Sequence, residues 1–149
     1  MKKILIAATF ALAAASASAL EVGVTAARDY ASDDRNAVGL TVGQKYGKFG
    51  VTAGFDRATR GDNDQNRYSL VGSYDVATLG PVTIAGKAGV AYLDNQVGQD
   101  GYAALVGVGA SMPITKTIAA TADFTRQYGQ DRVSQYNGNR ITVGLKYSF

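Results

Sequence analysis

Eight segments of this chain alternate apolar with small or polar residues, at about 21–29, 37–46, 48–58, 67–77, 81–93, 101–112, 116–127 and 139–149. Period-two alternation marks a strand with two different faces. The last segment carries the pattern to the final residue: Ile141, Val143, Leu145, Tyr147 and Phe149 alternate with Thr142, Gly144, Lys146 and Ser148. The connections constrain the fold further. Those after the second, fourth and sixth segments are tight, at 46–48, 78–80 and 113–115. Those after the first, third, fifth and seventh are longer and polar, at 30–36, 59–66, 94–100 and 128–138. Neighbouring strands joined this way form an up-and-down sheet with its short turns at one end and its long loops at the other.

The aromatic residues say which environment that sheet meets. Tyr46, Phe49, Tyr74, Tyr147 and Phe149 fall at the short-turn ends of the segments. Tyr30, Phe55, Tyr68, Tyr92, Tyr102, Phe124 and Tyr128 fall at the long-loop ends. Aliphatic residues and Gly hold the centres. Two aromatic belts around an aliphatic band are what two membrane–water interfaces select, whereas a soluble core places its rings in the middle. One parity holds Val22, Val24, Val38, Leu40, Val90, Val106, Val143 and Leu145; the other holds Thr25, Thr41, Thr52, Ser69, Ser73, Thr121 and Thr142. The apolar parity is expected to face lipid. The fold class is therefore all-β: an eight-stranded antiparallel transmembrane β-barrel with short periplasmic turns and longer extracellular loops.

Export is expected from the first residues. Lys2 and Lys3 precede an apolar run from Ile4 to Ala15, which is too short to span a bilayer, and Ser16-Ala17-Ser18-Ala19 offers small residues for cleavage. This reads as a signal peptide over 1–19, leaving a single barrel domain over 20–149. The net charge of +3 falls to +1 once Lys2 and Lys3 are removed, so the basic pI is no argument for nucleic acid. Zero Cys excludes disulfides and thiolate chemistry.

With its signal peptide, eight strands, alternating connections and the ending "VGLKYSF", the chain resembles the small eight-stranded outer-membrane family. It is similar to the transmembrane domain of outer-membrane protein A and to outer-membrane protein X. The resemblance implies a bacterial outer-membrane location and a C-terminal signal, Tyr147 and Phe149, read by the barrel-assembly machinery. Some members modify lipid A with a His near a Ser. This chain has no His, so the usual general base is missing and no enzyme is expected. No cofactor or metal is expected either. Asp62, Asn63 and Asp64 are weak cation ligands without a bidentate Glu.

Inward parity also holds charges. Glu21, Lys45, Asp75 and Lys146 lie towards the periplasmic end, Lys87 and Asp123 nearer the middle, and Asp29 and Asp56 near the outer end. Glu21 is expected between Lys45 and Lys146, and Lys87 is expected to pair with Asp123 across the lumen. An eight-stranded barrel is just wide enough for its side chains, so these charges should fill it. The alternative is a narrow porin-like channel lined by them.

All eight Arg lie on or beside the long loops. Arg28, Arg57 and Arg126 have outward parity at the outer rim. Lipopolysaccharide presents phosphates there, and the planar guanidinium binds phosphate bidentately. The expected role is structural or surface-interacting: lipopolysaccharide contact at these three residues and display of the loops, to a host or surface ligand that the sequence does not name. Arg60-Gly61-Asp62 is an integrin-type tripeptide, a length at which chance matches are common.

Overall fold

A computed structural model describes residues 19–30, 34–60, 63–95, 100–130 and 137–149. They form eight strands: β1 (Ala19–Tyr30), β2 (Arg35–Tyr46), β3 (Phe49–Arg60), β4 (Asn63–Leu79), β5 (Val82–Asn95), β6 (Gly101–Pro113), β7 (Ile118–Gly129) and β8 (Gly138–Ser148). Each pairs antiparallel with the next, and β8 returns to β1, closing the barrel. Closure leaves no edge strand with unpaired backbone groups, the condition for a sheet to stand in hydrocarbon. Residues 1–18, most of the expected signal peptide, lie outside the described residues, as do Gly61, Asp62, Arg132 and Tyr136.

Local chemistry explains the turns. Gly47 and Gly80 take positive φ, both 59°, the left-handed conformation that a tight hairpin turn demands and Gly adopts freely. The third short turn is wider than the sequence suggests, running over 114–117. There the Thr115 hydroxyl accepts hydrogen bonds from the backbone N–H of Thr117 and Ile118. Two further departures concern β4. Its ladder with β3 continues to the pair Arg60–Asn63, so most of the connection expected over 59–66 is strand. Asn and Asp favour turns, and the ladder's backbone bonds override that preference. Lower in β4, a bulge between Asp75 and Ala77 inserts Val76 as an extra residue; Asp75 keeps its lumenal position.

The two faces divide as the parity predicts. Val24 is 55%, Val38 67%, Leu40 59% and Val143 52% exposed on the outer wall. A continuous exposed aliphatic wall of this kind is a surface built for lipid. Ring pairs brace its two borders: Phe49–Tyr74 at 4.7 Å and Tyr147–Phe149 at 4.9 Å below, Phe55–Tyr68 at 5.2 Å and Tyr92–Tyr102 at 5.1 Å above. Offset and edge contacts at such distances are favourable for aromatic quadrupoles.

Register fixes how high each residue sits. A row of partners leaves Leu20, passes Gln44, Val51, Gly72, Ala88, Val106, Arg126 and Asn139, and re-enters β1 at Tyr30, ten residues above its start. That stagger over eight strands tilts them by roughly 40–45°. Each step along the row climbs ten-eighths of a residue, so levels can be compared between strands. On that scale the two aromatic belts stand roughly 20 Å apart, near the ~25 Å apolar band of outer-membrane barrels.

Candidate functional site: a layered lumen and an arginine rim

The lumenal charges fall into three layers. In the lowest, Lys146 Nζ meets Glu21 at 3.1 Å and Lys45 Nζ meets Asp75 at 2.6 Å. The sequence predicts Glu21 shared between Lys45 and Lys146; the structure gives it to Lys146 alone of the two. Lys45 turns instead over β3, where the inward position beside it is Gly50, and reaches β4. The middle layer is the expected pair Lys87–Asp123, at 2.5 Å. It does not cross the diameter but spans one intervening strand, over Gly109 of β6. A β-carbon on Gly109 would collide with the Asp123 carboxylate and the Lys87 chain, so glycine is what lets the pair close.

The uppermost layer contains residues that sequence reasoning missed. Arg140 Nη1 contacts Asp29 at 2.9 Å and its Nη2 contacts Asp56 at 2.9 Å, while Arg67 Nε contacts the other Asp56 oxygen at 3.1 Å. Arg67 also donates to Gln127, and Arg140 Nε donates to the Thr142 hydroxyl. Here too the chain passes a glycine: Asp56 Oδ1 lies against Gly39. The side chains of Arg140, Asp56 and Arg67 are 3%, 10% and 12% exposed. Charges this dry persist only when paired and hydrogen-bonded. Arg67 and Arg140 had been grouped with the loop arginines, yet each shares parity with lumenal neighbours, Ser69 and Thr142. Two inward aspartates without cations were the signal that could have found them.

These layers bound the open space. A cavity of about 230 Å³ is lined from below by Glu21, Lys45, Asp75 and Lys146 and ends above at Asp56, Arg67 and Leu105. Under the outer rim the inward Ala27, Ala37, Ala58, Ala91, Leu93 and Ala103 are buried together with the polar Arg35, Gln65 and Gln127, so apolar and polar side chains both fill this end of the lumen. Every charged group lining this space is held by a partner of opposite sign, and the lumen as a whole is close to neutral.

Outside, Arg28, Arg57 and Arg126 are exposed and lie within about one residue step of a common level. They occupy β1, β3 and β7. The opposite arc, β4 to β6, carries Tyr68, Tyr92 and Tyr102 at the rim instead. Two of the arginines are built alike. Arg28 lies 5.4 Å from the Tyr30 ring centre and Arg126 5.4 Å from that of Tyr128, in each case the ring two residues on along the same face. Arg28 also pairs with exposed Asp34 at 3.1 Å, and Arg126 donates to the Asn139 side-chain oxygen at 3.4 Å. Below the rim, at the chain end, the Phe149 N–H donates to the Leu20 carbonyl at 3.0 Å. The final residue is thereby stitched to the start of the barrel.

No family model matches the chain, and no curated protein matches it in sequence. Solved structures do. Neisserial surface protein A aligns with a TM-score of 0.60 at 15% identity, over 89% of this chain and 97% of its own. OprG of Pseudomonas aeruginosa gives 0.63 at 13%, over 89% and 96%. Ail of Yersinia pestis gives 0.56 at 14%, over 89% and 97%. The chain has the fold of these small eight-stranded outer-membrane β-barrels.

Proposed function

We propose that this protein is an exported outer-membrane barrel with a structural and surface-contact role, bound at its outer rim to lipopolysaccharide and displaying its loops above it. The observation that carries this reading is the common level of Arg28, Arg57 and Arg126, set just above an aliphatic wall. Guanidinium groups at that height meet phosphate while the wall below meets acyl chains. One structure of Ail is a complex with the heparin analogue sucrose octasulfate; sulfate esters offer oxygens of the same chemistry, which supports an oxyanion-binding rim. The signal peptide over 1–19 and the Tyr147/Phe149 ending belong to the same reading, as the export and assembly signals. Changing Arg28, Arg57 and Arg126 together to Ser should lower the lipopolysaccharide that co-purifies with the folded barrel by about tenfold, from loss of several charge-assisted contacts. Undiminished lipopolysaccharide in the triple variant would remove the proposal.

The narrow-channel alternative has a cavity in its favour. The upper charge layer and the buried side chains packed around it support a filled lumen instead. In a planar bilayer the refolded wild-type barrel should give no discrete conductance steps. Reproducible steps, altered in size by Lys87→Gln or Asp123→Asn, would establish a channel. An enzyme reading gains nothing from the site, since the chain lacks His and the lumenal carboxylates face cations rather than a hydroxyl nucleophile.

A further inference from the structure

We propose that Arg28 and Arg126 grip the two phosphates of one bis-phosphorylated lipid A headgroup, without a bridging divalent cation. This rests on the lipopolysaccharide reading above and makes it specific to one face of the barrel. The two arginines stand on β1 and β7, two strand spacings apart, roughly 10 Å. Between them runs β8, whose Asn139 is the register partner of both Arg126 and Tyr30. A disaccharide phosphorylated at both ends lies across that interval with its sugar polar groups over Asn139. Each guanidinium carbon lies 5.4 Å from the centre of a tyrosine ring, a cation–π contact that favours keeping the charge at the rim, where a guanidinium can take an oxyanion in a fork. The carboxylate on Arg28 is Asp34, and both are about half exposed, 54% and 53%. An ion pair that open to water is weak and yields to a dianionic phosphate. Arg57 stands at the same level but has Thr59, not a ring, two residues on.

A paired grip does what scattered rim charge cannot. Neighbouring lipopolysaccharide molecules repel through their phosphates, and divalent cations relieve that repulsion. Here two guanidinium groups of the barrel supply the same positive charge, so the contact does not need the metal.

The test is titration of the refolded barrel in detergent micelles with purified bis-phosphoryl and monophosphoryl lipid A, with and without EDTA, read by native mass spectrometry. A heat-dependent gel shift confirms that each variant is folded. Bis-phosphoryl lipid A should bind one per barrel, equally well in EDTA, and about tenfold more tightly than the monophosphoryl form. Arg28→Ser or Arg126→Ser should each lose that tenfold preference, while Arg57→Ser, a rim residue outside the pair, should weaken both lipids alike and leave the preference within about twofold. Equal binding of both lipids, with all three variants still weakened, would overturn the paired grip and leave the rim reading standing. Binding abolished by EDTA would overturn the metal-free contact. Failure of the wild-type barrel to bind either lipid would sink the rim reading itself, and this inference with it.

Discussion

Arg140→Met is expected to lower the stability of the folded barrel by about 3–5 kcal/mol, the cost of removing one partner from a buried ion network. Arg140 is the hub of the upper layer: it joins Asp29 of β1 and Asp56 of β3 from its place on β8. Methionine preserves much of the volume and removes the charge, so the loss reports electrostatics more than a cavity. Denaturant unfolding of the barrel in micelles measures it. Adding Asp29→Asn to Arg140→Met should recover part of the loss, because Asp56 keeps Arg67 and the Asp29 charge that lost Arg140 is then gone. A single variant as stable as wild type would mean that water reaches the aspartates and that the upper layer is no seal. The same result would weaken the case for a silent lumen, so the stability and conductance measurements check each other.

Gly107→Val should prevent the native barrel from forming, whereas Gly86→Val should leave it intact. Both glycines lie in the central strands and both look alike in the sequence. Gly107 faces the lumen, and a β-carbon there would overlap the Phe124 carbonyl oxygen and the Thr125 α-carbon of the adjoining β7. Backbone on both sides is tied into ladders and cannot yield, so the overlap costs at least about 3 kcal/mol, the upper range for overpacking. Gly86 faces outward with nothing within 4 Å of the β-carbon it lacks. There valine adds apolar surface towards lipid and favours the strand by up to ~1 kcal/mol. The heat-dependent gel shift separates the two cases in one experiment. Loss of the compact band in both variants would show that the register drawn here between β5, β6 and β7 is wrong.

Much of this was legible in the residues. Alternation placed eight strands within a few residues of their ends, and parity assigned the lipid wall and the lumen, because a one-residue slip would send every valine inward. Lys87 pairs with Asp123, as their opposite charges on the inward parity suggest, but over one strand rather than across the lumen. The reading failed where it needed distances between strands. Lys45 met Asp75 rather than Glu21, and the hairpin of β3 and β4 ran on through a turn-like sequence to Arg60 and Asn63. Arg67 and Arg140 were assigned to the loops although their parity pointed inward.

The sequence by itself determined the faces, the strand number and the inverted distribution of apolar residues, since these depend only on local period and on what each side chain does in water or lipid. The tertiary structure alone decided which charges meet and which arginines share a level. Those facts depend on the ten-residue stagger accumulated over eight pairings and on glycines that let ion pairs pass over a strand. Stagger is a property of closure, and no single strand carries it.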